Sequence, residues 1–108
     1  MPLSSRFLAE ARREFRDQVS SYAASDPSVA ARFTNAVEAA VGLVCAFPGA
    51  GPPYHGSYRR RVLGRPFRFS IIYTVEADSI VVAAVWAHRR DPEKLRQRLE
   101  RIEPESGS

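Results

Sequence analysis

The spacing of apolar residues predicts two helices in the first half of the chain. Over residues 9–22 apolar side chains recur at steps of three and four residues, which is the pattern of an amphipathic helix. Asp26 and Pro27 then supply a capping carboxylate and a proline at the first helical position, so a second helix begins there. The apolar stripe of this second helix covers residues 30–44 and ends before Pro48. The two helices are expected to form an antiparallel hairpin.

Residues 58–87 carry the patterns of β-strands. Alternation of apolar and polar side chains over residues 67–75 is the clearest period-two signal in the chain. Residues 58–63 predict a strand before it, joined to it by a turn at residues 64–66. Residues 80–87 are apolar on both faces, as expected of a central strand. Because short turns connect these strands, the sheet is predicted to be antiparallel.

Three further segments complete the predicted order. Residues 3–8 are interpreted as an edge strand, and residues 48–56, with three prolines and three glycines, as an ordered loop. A final helix is predicted to begin at Pro92 and to end at Pro104. Helices before a run of antiparallel strands indicate an α+β fold, with the hairpin packed on one sheet face in a single domain over residues 1–108. The predicted core consists of Phe33, Val37, Phe69, Ile71, Tyr73, Val82 and Val85.

Composition narrows the class of protein. The chain has 108 residues, of which 44% are hydrophobic and 26% charged, as is typical of a folded globular protein. The lone cysteine, Cys45, excludes an intramolecular disulfide and is interpreted as a buried structural thiol. With only two histidines besides, ligands for a structural zinc site are too few, and no metal or cofactor is predicted. Because no signal peptide or apolar run long enough for a membrane span is evident, the expected location is a reducing cytoplasm.

The positive charge of the chain is concentrated in one segment. Residues 39–75 contain five arginines and no acidic residue, whereas the rest of the chain holds eleven basic and twelve acidic residues. The formal net charge of +4 therefore belongs to this segment, which favours an anionic partner, either a nucleic acid or an acidic protein. An arginine-rich, solvated strand is the alternative interpretation. The candidate binding residues in the segment are Arg59, Arg61, Arg65 and Arg68.

The predicted strands assign these arginines to faces of the sheet. Arg59 and Arg61 share one face because side chains alternate along a strand. If the helical hairpin covers the aromatic face of residues 67–75, Arg68 points to the other side. That side would then be a cationic surface interrupted by Ser70 and Thr74, on which phosphates could dock.

The end of the central strand adds three candidate residues. His88 closes the strand and is followed directly by Arg89 and Arg90. Nearby positive charge would favour a neutral imidazole, which is suited to accepting a proton. The alternative is a histidine that only fixes the corner between strand and helix.

The chain also carries a series of short motifs in an informative order. They are FLAEARRE at residues 7–14, ARF at 31–33, FPG at 47–49, RRRVL at 59–63, PFRF at 66–69, IY at 72–73 and AVWAHRRDP at 84–92. Together they resemble the RelE/ParE superfamily of small bacterial toxins, and its ParE (plasmid stabilisation) branch most closely. The resemblance implies a βααβββ order followed by a helix, which agrees with the order predicted from the patterns.

The resemblance also implies a function. Toxins of this branch belong to type II toxin-antitoxin systems, so the expected partner is a cognate acidic antitoxin, partly disordered, that wraps and neutralises the toxin. A folding segment of that kind needs apolar grooves and a basic surface. The expected action is growth inhibition by poisoning DNA gyrase through protein contacts, without catalysis.

Two other functions stay open at this stage. A RelE-like nuclease would cut messenger RNA on the ribosome, with Arg61, Arg68 and Arg89 binding phosphates and Tyr73 moving a proton. An interaction module that has lost toxicity would keep only antitoxin binding. The sequence alone does not separate the three functions.

Overall fold

Three helices and five strands are present in a computed structural model of the chain, which describes residues 2–107, with side chains described through residue 102. In chain order they are β1 (Ser4–Phe7), α1 (Ala9–Ser25), α2 (Pro27–Ala46), β2 (Pro53–His55), β3 (Tyr58–Val62), β4 (Phe69–Glu76), β5 (Ser79–Ala87) and α3 (Pro92–Gly107). All five strands form one sheet in the order β1-β5-β4-β3-β2. The predicted α+β fold is therefore confirmed.

The sheet differs from the prediction at its two edges. Strands β3 to β5 are antiparallel as expected, but β1 pairs with β5 in parallel, so the sheet is mixed. Residues 53–55, predicted as loop, form the short edge strand β2. A proline at the start of an edge strand needs no partner for a backbone N–H, which is why Pro53 is compatible with this position.

Helix α2 of the helical hairpin begins where the sequence predicts. The Asp26 carboxylate accepts a hydrogen bond from the Ser28 backbone N–H at 2.9 Å, and Pro27 occupies the first helical position. A second bond from the Ser28 hydroxyl and this backbone bond lower the pKa of Asp26. Both bonds satisfy the carboxylate at the point where α1 turns into α2.

The main core lies between this hairpin and the sheet, and all seven predicted core residues are buried in it. Phe33 of α2 is fully buried, with its ring centroid 5.1–6.1 Å from the rings of Phe15, Tyr22, Phe67 and Phe69. Tilted and edge-on contacts of this kind stabilise a core beyond the burial of area. Cys45 is buried and free, as predicted.

The opposite face of the sheet is covered by α3, and we call it the α3 face. Leu95 and Leu99 of α3 pack against Ile72 and Trp86 of the sheet in a second core. The expectation of an open cationic face interrupted by two exposed hydroxyls was therefore wrong, since Ser70 and Thr74 are 1% and 6% exposed. The apolar residues of this face need a cover, and the apolar stripe of the last helix supplies it.

Two features of the helices also bear on the prediction. The last helix continues through Pro104 to Gly107, so the predicted end at that proline was wrong. By length and composition alone, α2 is long and apolar enough to cross a membrane. Its stripe, which includes Val37 and Val44, packs against the sheet here, as in a core helix.

Candidate functional site

A β-bulge in β5 decides which side chains reach the α3 face. The pairing of β4 with β5 skips Ala83. The extra residue shifts the alternation of side chains, which is why Val82 and Val85 both belong to the core beneath the hairpin. The same shift places Trp86 and, two residues later, His88 on the α3 face.

A cleft of about 180 Å³ opens on the α3 face where β5 leads into α3. We call it the histidine cleft. It is lined by Tyr54, Arg60, Ser70, Ile72, Trp86, His88, Arg90, Pro92 and Leu95. His88 also lines a neighbouring hollow of about 490 Å³ whose walls include Arg65 and Arg68. The imidazole ring therefore lies between two cavities that both carry arginines.

Strand register brings the cationic side chains of this region together. Arg60 pairs across the sheet with Ile72, a residue of the core beneath α3, and so shares its face. The His88 backbone N–H donates to the Arg68 carbonyl at 2.9 Å. Arg68 and His88 are thus cross-strand neighbours just beyond the ends of β4 and β5.

The environment of His88 favours its neutral form. Its Nε2 atom lies 2.7 Å from the hydroxyl oxygen of the buried Ser70. Partial burial lowers the pKa of His88, the positive charges of Arg60 and Arg68 lower it further, and a hydrogen bond to the Phe69 backbone opposes the change. The arginines that act on the imidazole are therefore these two, and not the pair that follows it in sequence.

The histidine cleft offers cations and a proton acceptor but no acid. None of its nine lining residues is a carboxylate. Such a set of side chains suits an anion, with bidentate guanidinium contacts and a neutral imidazole beside them. Within residues 2–102, no group of three or more His, Cys, Asp or Glu side chains is placed to hold a metal ion.

Arg90 stands at the rim of the cleft and is already paired. Its Nη1 atom donates to Glu14 Oε2 at 2.8 Å, and its guanidinium lies 3.8 Å from the centroid of the Trp86 ring. Arg98 of α3 donates to the same carboxylate at 2.7 Å and is 5% exposed. Glu14 of α1 therefore binds both Arg90, which follows β5, and Arg98 of α3.

The Glu14 and Arg98 side chains also complete the edge of β5. Strand β1 ends at Phe7, opposite Val82. The residues of β5 that follow therefore have no neighbouring strand on the edge where β1 lies, although β4 pairs with them on the other edge. There the Val85 backbone N–H donates to Glu14 at 3.0 Å, and Arg98 donates to the Ala83 carbonyl. An ion pair thus takes the place of a strand and holds α3 to the sheet.

A second candidate surface lies between α2 and the turn that joins β3 to β4. This groove of about 680 Å³, which we call the α2 groove, is lined by Arg32, Asn35, Ala36, Ala39, Ala40, Leu43, Arg61, Val62, Gly64, Arg65, Pro66 and Phe67. Its walls are mostly apolar, its charged residues are all arginines, and Val62 is 45% exposed. It has the chemistry of a docking site for an apolar helix face with acidic flanks.

The seven predicted site residues are therefore divided among several places. Arg68, His88 and Arg90 lie at the histidine cleft or the adjoining hollow, Arg61 lies at the α2 groove, and Arg65 lines both the groove and the hollow. The remaining two lie elsewhere, so the seven residues do not form the single cationic sheet surface that was expected.

Those two residues are Arg59 and Arg89. Arg59 donates to the Gly51 carbonyl at 2.8 Å and ties the loop before β2 to the sheet. Arg89 is exposed and lines a hollow beside α1 that also contains Glu14 and Asp17. Arg59 therefore has a structural contact, and Arg89 shares its hollow with acidic residues of its own chain.

Sequence reasoning missed Arg60 and Tyr54 of the cleft. Alternation places Arg60 opposite to Arg59, but its register with Ile72 was needed to put it on the same face as His88. Tyr54 lies on β2, which was predicted as loop, and its ring centroid is 5.9 Å from the Arg60 guanidinium carbon. No local pattern in the sequence indicates this contact.

Comparisons with known proteins give a match for the fold and a match for the sequence. A solved structure described as "Chromosomal ParDE TA system from P. aeruginosa" contains a chain with the same fold, at a TM-score of 0.67 and 20% sequence identity, and the match covers 79% of this chain and 95% of that chain. The sequence model described as "ParE toxin of type II toxin-antitoxin system, parDE" matches residues 6–92. The chain belongs to the ParE toxin family, as the motifs predicted. A comparison with curated proteins gives no match.

Proposed function

We propose that the chain inhibits growth by poisoning DNA gyrase in the cytoplasm and that a cognate acidic antitoxin neutralises it. The observation that carries the proposal is the family match over residues 6–92. Membership of a toxin-antitoxin family implies an antitoxin partner, and the ParE resemblance implies gyrase as the target. Arginines line both the α2 groove and the histidine cleft, and this supports a protein that binds more than one partner.

The α2 groove is the proposed antitoxin site. An amphipathic helix laid against Ala39 and Leu43 would bury their apolar surface, while acidic flanks would meet Arg61 and Arg65. Neither arginine forms an ion pair with a carboxylate of the described residues, so both are open to a partner. The acid-free segment of residues 39–75 gives the groove a positive field that speeds the encounter with an acidic chain.

Charge reversal in the groove tests this assignment. Arg65→Glu should weaken antitoxin binding by at least about tenfold, because one attractive contact becomes repulsive. Arg13→Glu on the exposed side of α1 makes the same charge change away from the groove and should leave binding within about twofold. Equal losses for both variants would show that only net charge matters and that the groove is not the site.

Growth assays test the proposal as a whole. Induced expression of the chain in bacterial cells should stop growth, and co-expression of the short acidic protein from the adjacent reading frame should restore it. Intact binding to that protein without growth arrest would instead indicate an interaction module that has lost toxicity.

A second function, cleavage of messenger RNA on the ribosome, is favoured by one observation. His88 has a lowered pKa and lies near two arginines, as a proton acceptor beside bound phosphate would. The tyrosine offered for this role is occupied, because the buried Tyr73 hydroxyl donates to the Pro48 carbonyl at 2.7 Å and accepts from the Gly51 N–H at 3.0 Å. Primer extension on translated messages separates the two functions, since new 5′ ends within codons would support cleavage.

A further inference from the structure

We propose that the histidine cleft, together with the hollow that adjoins it at His88, is a binding site for the phosphate group of a nucleotide, held by His88 with Arg60 of the cleft and Arg68 of the hollow. The inference goes beyond the proposed action on gyrase, because it concerns a ligand site on the face opposite to the helical hairpin. It applies equally to the terminal phosphate of a free nucleotide and to a phosphodiester within a single strand, and the experiment below distinguishes these sources.

The first argument is uncompensated charge. Arg60 and Arg68 both act on His88, and neither forms an ion pair with a carboxylate among residues 2–102. By contrast, Arg90 at the rim and the buried Arg98 both form an ion pair with Glu14. Guanidinium groups gathered without an acid raise the energy of the folded state, and a bound anion relieves that repulsion.

The second argument is the hydrogen-bonding capacity on the two sides of His88, where Arg60 lines one cavity and Arg68 the other. Guanidinium groups present paired N–H donors that match two oxygens of a phosphate. The imidazole is fixed by the buried Ser70 hydroxyl at 2.7 Å, so it has a defined orientation before a ligand arrives. A preformed site of this kind binds with a smaller loss of side-chain entropy than a flexible one.

The third argument is the aromatic wall, which favours a nucleotide over a simple anion. Tyr54 is half-buried and lines the cleft beside Arg60, so one part of its ring faces the cavity. Trp86 lines the same cleft, with the Arg90 guanidinium over its ring. Because Tyr54 and His88 line one cavity, a base attached to a phosphate bound there would stack on the tyrosine ring, as in single-strand binding sites.

The test uses the full chain and two readouts within the cleft. Trp86 is the only tryptophan in the sequence, so intrinsic fluorescence reports on this site alone, and the ring resonances of His88 report on its protonation. Adenosine 5′-monophosphate, a short single-stranded oligonucleotide without a terminal phosphate, and inorganic phosphate are titrated separately. The fluorescence change should reach saturation with at least one of the two nucleotide ligands. The same ligand should raise the pKa of His88, because a bound anion favours the imidazolium.

The variants make the assignment specific. Arg60→Gln and Arg68→Gln should each weaken nucleotide binding by about tenfold, as expected for loss of one charge-assisted contact. Arg13→Gln on α1 removes the same charge outside the cleft and should change the affinity by less than about twofold. Tyr54→Leu should weaken the nucleotide ligands but not inorganic phosphate, because it removes only stacking. Circular dichroism of each variant confirms the fold.

The outcomes separate the sources and the alternatives. Tight binding of adenosine monophosphate alone would identify a terminal phosphate as the ligand, and binding of the oligonucleotide would identify a backbone phosphodiester; both support the site. Binding that is equally weakened by Arg60→Gln and Arg13→Gln would overturn it in favour of general charge attraction. No saturation with any ligand would also overturn it, while leaving the action on gyrase untouched.

Discussion

Replacing Glu14 by alanine is expected to cost this protein much more stability than the loss of a carboxylate from a surface ion pair. The carboxylate accepts hydrogen bonds from Arg98, Arg90 and the Val85 backbone N–H at 2.7–3.1 Å. Glu14→Ala removes all of them and leaves the Arg98 guanidinium, whose side chain is 6% exposed, without its close counter-ion. Among the described carboxylates, Glu10 at 3.7 Å is then the one that remains near it.

The magnitude follows from the burial of Arg98. Breaking a buried ion pair from one side costs about 3–5 kcal/mol, because the remaining charge stays desolvated. Glu14→Gln keeps an acceptor but loses the charge, and should cost about 1–2 kcal/mol. The Arg98 Nε–H has no hydrogen-bond partner within the described residues, so the ion pair is not fully satisfied even in the native protein. Glu14→Leu combined with Arg98→Met should therefore cost less than Glu14→Leu alone.

Urea titration followed by circular dichroism measures these differences. With a slope of about 2 kcal/mol per M, Glu14→Ala should lower the midpoint by about 2 M. Glu93→Ala is the matched control, since its carboxylate pairs with Arg96 on the surface and is 56% exposed, and the loss there should stay below about 1 kcal/mol. A Glu14→Ala variant as stable as Glu93→Ala would refute the view that this ion pair fastens α3 to the sheet.

Three further predictions concern the loop before β2 and the histidine cleft. Gly51→Ala should lower the free energy of unfolding by about 1–3 kcal/mol, because a Cβ would lie 2.7 Å from the Arg60 carbonyl oxygen. Gly64→Ala, which faces open space, should have little effect. Tyr73→Phe should cost about 1–3 kcal/mol, since the Gly51 N–H loses its partner. Because the pKa of His88 is lowered from its ordinary 6.5, the unfolded chain binds more protons, so stability should fall as pH drops through 6.5. His88→Gln should reduce that fall, and urea titrations at matched pH check each prediction.

Local signals in the sequence were sufficient for the helices and for the main core. The Asp26 carboxylate and Pro27 define the start of α2 because capping depends on neighbouring residues only. The alternation over residues 67–75 identified the face of β4 that packs beneath the helical hairpin, but not the burial of its other face by α3. Features of this kind are visible in a single sequence.

Features that depend on distant partners were not predictable in this way. The bulge at Ala83 is a matter of register between two strands, and it moves His88 to the face where Arg60 lies. From the sequence alone, an arginine at position 98 of a polar helix is expected to be solvated. Arg98 is buried because Glu14 and the open edge of β5 provide its partners. The candidate cleft was therefore predicted only in part, at His88 and Arg90, and its adjoining hollow at Arg65 and Arg68.

The most direct test of the central claim is a DNA cleavage assay with purified gyrase, plasmid DNA and the folded chain. The account predicts that the chain blocks supercoiling and causes broken DNA to accumulate, and that the cognate antitoxin prevents both effects. Arg13→Glu should act like the unmodified chain in the same assay. Unchanged supercoiling and no broken DNA, with a chain that still binds its antitoxin, would contradict the claim that this toxin acts on gyrase.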